Sequence, residues 1–171
     1  MSDDNGENQA FIDGQNLFLG TTQSSDPWKV DLYKFRIYLR ERYNVEKAYY
    51  FIGRKEDKLQ ELYERIRDAG YILVFRAHSG DMKSSKKGNV DTDIVFMTMK
   101  VFHESVKEER YYFVSGDGDY YKMIKYLQLQ KRLGKILFPS MKKSSSLYRQ
   151  IGNAYYDYLD KREVREKIKY Q

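Results

Sequence analysis

Residues 111–121 read YYFVSGDGDYY, and this stretch joins two patterns of different period. Its first four residues are aromatic or β-branched, which is typical of a buried strand. Two glycines and two carboxylates follow, and they indicate a tight turn. Apolar residues then recur at helical spacing, at Tyr120, Met123, Ile124 and Leu127. The stretch therefore predicts a strand, a turn and a helix, with acidic side chains at the turn.

Two other parts of the chain show a similar acidic corner. An apolar run at residues 10–12 leads into Asp13, and Asp91 and Asp93 introduce a further helical pattern. In an open α/β sheet, the carboxyl ends of the strands border a common crevice. We expect the acids from these corners to meet there and to hold a divalent metal ion. The predicted ligands are Asp13, Asp117 and Asp119, with Asp91 as the fourth.

The order of the patterns predicts an α/β fold. Helical patterns alternate with short apolar runs, which favours βαβ units and a parallel sheet, and 171 residues suit one domain. We expect an acidic disordered tail over residues 1–9, one folded domain over residues 10–159, and a basic C-terminal helix or tail over residues 160–171. A helix is predicted at residues 147–159. Five strands are predicted, at residues 10–12, 47–52, 71–75, 111–114 and 135–138.

The composition narrows the chemistry of any metal site. The chain has no cysteine and two histidines, so thiolate sites and histidine-rich sites are excluded. A metal would then be bound by oxygen, which favours Mg²⁺ or Mn²⁺. No apolar segment approaches the roughly 20 residues that cross a bilayer, and the N-terminus does not resemble a signal sequence. A cytoplasmic protein without membrane contact is expected.

The charge indicates a polyanionic partner. The formal net charge is +6, and removing the three acids of the N-terminal tail leaves about +9 on the body. Residues 122–149 contain eight cations and no acid. The whole chain has seventeen tyrosines, and exposed tyrosines among lysines can stack on unpaired bases. Most of them are nevertheless expected to belong to strands and to the inner faces of helices.

Each candidate ligand also has a structural interpretation. Asp13 could cap a turn, and Asp119 could be the N-cap of the following helix. Asp91 and Asp93 are two residues apart, so they point to nearly opposite sides of a helix and cannot share one ion if the helix includes both. We therefore choose Asp91 as the ligand and interpret Asp93 as an exposed acid in the first turn.

Several carboxylates, a divalent ion and a basic surface together favour hydrolysis of a phosphodiester. Asn16 would position a ligand or a phosphate oxygen, and Ser115 would bond a carboxylate or a water. The serine-rich loop, residues 140–146, is predicted to be flexible and to contact phosphates. The cations expected to bind substrate are Lys87, Lys122, Lys142 and Lys143.

Three blocks of sequence in this order are similar to the NYN domain family of PIN-like nucleases, including its LabA-like bacterial branch. They read FIDGQNL at residues 11–17, KGNVD at residues 87–91 and VSGDGDY at residues 114–120. The resemblance implies a three-layer α/β/α sandwich on a parallel sheet and a Mg²⁺- or Mn²⁺-dependent ribonuclease. By position, the family's acidic set corresponds to Asp13, Asp91, Asp117 and Asp119, and its characteristic asparagine to Asn16.

Two alternatives to the nuclease stay open at this stage. One is a module with the nuclease fold that binds RNA or a protein without cutting. The other is a phosphatase of the haloacid dehalogenase type, which the Gly116-Asp117-Gly118 turn resembles. That chemistry needs a second aspartate two residues after the nucleophile, where Gln15 stands. The expected partner is single-stranded RNA, cut internally, and a homodimer is left open.

Overall fold

The computed structural model describes residues 7–53, 55–76 and 90–171, which contain six strands and six α-helices. The strands are β1 (Asn8–Asp13), β2 (Val45–Ile52), β3 (Ile72–Phe75), β4 (Tyr111–Val114), β5 (Leu133–Phe138) and β6 (Tyr156–Tyr158). The helices are α1 (Gly14–Thr22), α2 (Leu32–Tyr43), α3 (Gln60–Asp68), α4 (Asp91–Glu104), α5 (Tyr121–Leu129) and α6 (Arg162–Ile168).

All six strands form one parallel sheet in the order β3-β2-β1-β4-β5-β6. From β1 the chain first builds outward through β2 to β3. It then returns to the other side of β1 and builds outward again from β4 to β6. The direction of winding therefore reverses between β1 and β4. Open α/β sheets bind ligands beside the carboxyl ends of the strands at such a reversal.

The two faces of the sheet are covered by different helices. In the central strand β1, Ala10 and Ile12 belong to one core cluster, and Phe11 between them belongs to the other. The first cluster includes Phe35 of α2 and the second includes Ile124 of α5. A strand segment buried on both faces is expected to be continuously apolar, as residues 10–12 of β1 are. The predicted three-layer α/β/α sandwich on a parallel sheet is confirmed.

The strand count differs from the prediction, because the structure has a sixth strand where a helix was predicted at residues 147–159. Two short 3₁₀-helices, Ser146–Ile151 and Asn153–Tyr155, replace the first part of that helix. Gly152 lies between them at φ 92° and ψ 150°, a conformation that glycine adopts readily and that interrupts a helix. The tyrosines of β6 then pack on Phe138 of β5, with ring centroids 5.5 Å apart for Tyr156 and 5.4 Å for Tyr158.

The last helix covers the α2 face of the sheet. Val164 and Ile168 of α6 are buried in the same core cluster as Phe35. After α6, Lys169 forms an antiparallel bridge with Val30. Within the described ranges, no helix combines the length and the apolar character that crossing a membrane requires.

Candidate metal centre

The predicted acidic corners converge at the reversal between β1 and β4. Asp13 is the last residue of β1, Asp117 and Asp119 follow β4, and Asp91 begins α4. Three of them, Asp91, Asp117 and Asp119, each place a carboxylate oxygen within 4.8 Å of the other two. We call these three residues the acidic triad. Its donors are all carboxylate oxygens, which suit a hard divalent cation.

Asp13 lies beside the acidic triad, and its two oxygens are engaged by the protein. It is only 6% exposed. One oxygen, Oδ1, accepts a hydrogen bond from the backbone N–H of Asn16 at 3.0 Å and so caps α1. The other, Oδ2, accepts from the Tyr120 hydroxyl at 3.1 Å. The capping role that the sequence offered as an alternative is therefore present, and a metal role for Asp13 stays a prediction.

Tyr120 connects Asp13 to the acidic triad. Its buried hydroxyl lies 2.5 Å from Oδ1 of Asp91 as well as 3.1 Å from Oδ2 of Asp13. Burial, and then the charges of these two carboxylates, raise the pKa of Tyr120 well above its usual range, so the phenol stays a neutral donor. Sequence analysis assigned Tyr120 only to the inner face of a helix. The available signal was a tyrosine hydroxyl directly after residues 115–119, which we call the acidic turn.

The pKa of two of these acids, Asp13 and Asp119, is raised by their surroundings. Burial raises the pKa of Asp13, and the charges of Asp91 and Asp117 add to this effect, whereas the hydrogen bonds from Asn16 and Tyr120 oppose it. The side chain of Asp119 is exposed, and the charge of Asp117, followed by that of Asp91, raises its pKa. A cation bound among these groups would relieve the repulsion, because it neutralises like charges held close together.

Asn16 and Ser115 hold the backbone of the acidic turn. The side-chain oxygen of Asn16 accepts a hydrogen bond from Gly116 N at 2.8 Å, so α1 is tied directly to the end of β4. Ser115 is buried, and its Oγ accepts from Asp117 N at 3.2 Å. Both side-chain oxygens thus accept from the backbone of this turn, and the contacts predicted for these residues with a phosphate, a water or a carboxylate stay predictions. Both residues position the triad.

The capping residue of the acidic turn is Asp117. Its carboxylate accepts from Asp119 N at 2.9 Å and caps the 3₁₀-helix Gly118–Tyr120. The alternative interpretation of Asp119 as an N-cap is therefore wrong, because a 3₁₀ turn precedes α5. Asp119 is consequently free of capping and projects into solvent beside Asp117.

A family model for the NYN domain matches residues 9–160 of this chain. The chain belongs to the NYN domain family. The fold is also similar to that of a protein of unknown function from Vibrio parahaemolyticus, whose crystal structure matches with a TM-score of 0.74 at 18% identity, covering 99% of this chain and 100% of that one. No curated protein matches significantly. The LabA-like branch stays a prediction.

In this NYN domain the serine-rich loop is docked on the acidic turn, where the sequence predicted a flexible segment. Ser145 N donates to Gly116 O at 2.9 Å, and the Tyr148 hydroxyl donates to Asp117 O at 2.5 Å. A Cβ on Gly118 would lie 2.7 Å from Oγ of Ser145. The two glycines of the acidic turn allow this close approach, because larger residues would push the loop away.

The predicted substrate-binding lysines have different surroundings. The ammonium groups of Lys142 and Lys143, in the docked loop, donate to Ser25 Oγ at 3.2 Å and to Gln23 O at 2.9 Å. Lys122 is exposed on the first turn of α5, beside the acidic turn. Lys87 lies outside the described residues. Three of the four lysines therefore lie on elements that border the triad.

Asp93 is separate from the triad, as the helical spacing predicted. It lies in the first turn of α4, but it is half-buried, so the prediction of an exposed acid is wrong. Its Oδ2 is enclosed and has no hydrogen-bond partner within residues 7–53, 55–76 and 90–171. Asp91 and Asp93, both in the first turn of α4, thus have different surroundings.

Proposed function

We propose that this NYN domain is a metal-dependent ribonuclease that hydrolyses phosphodiester bonds of single-stranded RNA. The observation that supports this proposal most is the acidic triad, whose three carboxylates lie together where the winding of the sheet reverses. The NYN family, which has a PIN-like nuclease fold, also supports it. Mg²⁺ or Mn²⁺ suits this donor set. A divalent ion held there would supply Lewis-acid polarisation of a phosphate oxygen.

The residues of the chain have distinct roles in this proposal. The carboxylates of the triad hold the cation. The Tyr120 hydroxyl lies between Asp13 and Asp91, shares its single proton with their oxygens and keeps these two acids in a fixed relation. Asn16 and Ser115 hold the backbone that carries Asp117. The lysines beside the triad, Lys122, Lys142 and Lys143, bind the RNA backbone.

The decisive experiment is cleavage of labelled single-stranded RNA by the full chain with Mn²⁺, with Mg²⁺ and with EDTA. We expect cleavage with the metal ions and none with EDTA. A closed circular RNA in the same assay tests the predicted endonuclease mode, because a circle offers no end to an exonuclease. Binding of RNA without cleavage under any of these conditions would support the alternative, a module with the nuclease fold that only binds.

The other alternative, a phosphatase of the haloacid dehalogenase type, loses its support. Gln15, at the position where that chemistry needs an aspartate, lies within α1. The glycine-rich turn that suggested it belongs to an NYN domain. The expected cytoplasmic location and the homodimer stay predictions.

The affinity for Mn²⁺ should fall as the pH is lowered from neutral. Protons and the cation compete for the same oxygens, and repulsion from Asp117 and Asp91 has raised the pKa of Asp119. Protonation therefore interferes at a higher pH than it would for an isolated aspartate. Calorimetric titrations of Mn²⁺ between about pH 7 and pH 5 would measure this fall and the protons released on binding.

The matched variant for this pH series is Asp119→Asn, which removes the titrating group. Its Mn²⁺ affinity should be lower near neutral pH and should vary less with pH than that of the wild type. A wild-type affinity that stays constant over the series would contradict the proposed role of Asp119.

Replacing Lys142 and Lys143 together by alanine should weaken RNA binding to a similar extent for all sequences. If each ammonium neutralises one phosphate, the dependence of log affinity on log salt should flatten by about 0.7 per lysine. Fluorescence anisotropy over a salt series, with EDTA present to prevent cleavage, measures the slope. The control is Lys47→Ala with Lys100→Ala, two exposed lysines on other elements. A slope equal to that of the control would contradict the role of the loop.

A further inference from the structure

A pocket of about 590 Å³ lies at the junction of α2 and α6, on residues that none of the proposed roles uses. Its volume is in the range of small-molecule sites. We call it the basic pocket, because four cationic side chains and one acidic one line it. Its main lining residues are Trp28, Lys29, Lys34, Arg165, Lys169 and Tyr170.

Two of the four cations are already neutralised. Arg165 pairs with Asp26 at 2.5 Å, and Lys169 pairs with Glu166 at 2.8 Å. Lys29 and Lys34 have no carboxylate partner among the described residues, although Nζ of Lys34 donates to Lys169 O at 3.3 Å. The unneutralised charge in the pocket is therefore positive, and it suits a phosphate.

The aromatic residues of the basic pocket suit the other part of a nucleotide. Tyr170 is 58% exposed, so a base could stack on its ring. Trp28 is 7% exposed and forms the wall, with the Arg165 guanidinium carbon 5.3 Å from its ring centroid. The indole N–H of Trp28 has no acceptor within the described ranges, which is uncommon for a buried donor. Tyr170 is therefore the aromatic residue of the pocket that a base can reach.

A chain of contacts connects the basic pocket with the acidic triad. The serine-rich loop bonds to the acidic turn through Ser145, and its two lysines bond to Gln23 and Ser25. The next residue along the chain, Asp26, pairs with Arg165 of the pocket. Along this series of contacts, Lys142 and Lys143 lie between the acidic triad and the basic pocket.

We propose that the basic pocket binds one nucleotide of the RNA strand whose scissile phosphate lies at the acidic triad. Lys29 and Lys34 contact its phosphate, and Tyr170 stacks on its base. This inference rests on the proposed nuclease function. It adds a binding subsite away from the metal centre, which favours substrates long enough to occupy both places.

Trp28 is the only tryptophan of the chain, so its fluorescence reports on this pocket directly. The full chain would be titrated in EDTA with a long single-stranded RNA, with a dinucleotide and with AMP. We expect the long RNA to change the emission and to bind more tightly than AMP or the dinucleotide. Lys29→Ala with Lys34→Ala should weaken this binding about tenfold, because the variant loses the hydrogen bonds that the two ammonium groups would donate to the phosphate.

Two control comparisons test whether the effects come from lysine charge and aromatic stacking in the pocket. The first changes lysines elsewhere on the surface, and the second changes Tyr170 in two ways. Lys47→Ala with Lys100→Ala removes the same charge elsewhere and should leave the titration unchanged. Tyr170→Phe should bind as the wild type does, whereas Tyr170→Ala should bind more weakly, because only the ring is needed for stacking. Thermal melts of each variant identify any change caused by folding.

The outcomes distinguish this subsite from the nuclease activity. If the RNA is cleaved but does not change the emission of Trp28, and the Lys29/Lys34 variant binds as the control does, the subsite is overturned and the nuclease stands. If AMP binds as tightly as the long RNA, the pocket is a site for free nucleotides and the RNA subsite is overturned. If the pocket binds RNA but no RNA is cleaved with Mn²⁺ or Mg²⁺, the subsite stands and the nuclease function fails.

Discussion

Asp117→Asn is expected to abolish metal-dependent cleavage of RNA while leaving the fold intact. Asp117 contributes an oxygen to the acidic triad, and an asparagine cannot supply the charge that a divalent cation needs. Removing a residue that hydrogen-bonds to a metal ligand typically lowers activity about 10–100-fold. Removing the ligand itself should therefore lower it by at least about 100-fold.

The same substitution should not lower the stability of the metal-free protein. Asparagine caps a helix about as well as aspartate, so the bond from Asp119 N can persist. Removal of one charge also relieves repulsion with Asp91 and Asp119. The melting temperature in EDTA should therefore be equal to or higher than that of the wild type.

Melting curves with and without Mn²⁺ should accompany the cleavage assay. The wild type should gain stability from Mn²⁺, because a ligand that binds only the folded state stabilises it, and the variant should lose this gain. Asp68→Asn, at the exposed end of α3, is the control and should behave as the wild type does. A well-folded Asp117→Asn protein that still cleaves RNA would remove Asp117 from the site.

Asp91→Asn and Asp93→Asn should have very different effects, although the two residues share one helical turn. Asp91 lies in the acidic triad, and Asp93 does not. Asp91→Asn should weaken Mn²⁺ binding and cleavage by much more than tenfold. Asp93→Asn should change either quantity by less than about tenfold, or roughly 1.4 kcal/mol.

Calorimetric titration of Mn²⁺ measures this pair of variants without relying on activity. The hydrogen bond from Tyr120 can persist in Asp91→Asn, because the amide oxygen still accepts, so the effect should lie in metal binding and not in folding. A larger effect of Asp93→Asn would make Asp93 the better candidate for a metal ligand, because its Oδ2 has no hydrogen-bond partner in the described part of the chain. Asp93 would then replace Asp91 in the proposed ligand set.

The local parts of the site could be predicted from the sequence. The apolar run before residue 115, the two glycines and the helical spacing from Tyr120 onward indicated a strand, a turn and a helix, and the structure has them in that order. The separation of Asp91 from Asp93 followed from helical geometry alone. Local patterns suffice here because side chains repeat with a fixed period along a helix or a strand, and because the turn conformations open to glycine are a local property of the backbone.

Other local predictions failed because distant residues determine the result. Residues 147–159 include apolar residues at helical spacing, but β6 forms there because Tyr156 and Tyr158 pack on Phe138 of the adjacent strand. The serine-rich loop has a composition typical of a flexible segment. Its backbone and side chains nevertheless bond to Gly116, Gln23 and Ser25, which are far away in the sequence.

The sequence by itself determined that this protein has a parallel α/β fold and that its acids gather at the carboxyl ends of the strands. Only the tertiary structure decided how those acids are divided. It joined Asp91, Asp117 and Asp119, and it engaged Asp13 with Asn16 and Tyr120. The reason is geometric, because a metal site depends on distances of a few ångströms between oxygens. Such distances are set by how β1, β4 and α4 pack together, because the oxygens belong to residues at the ends of different elements.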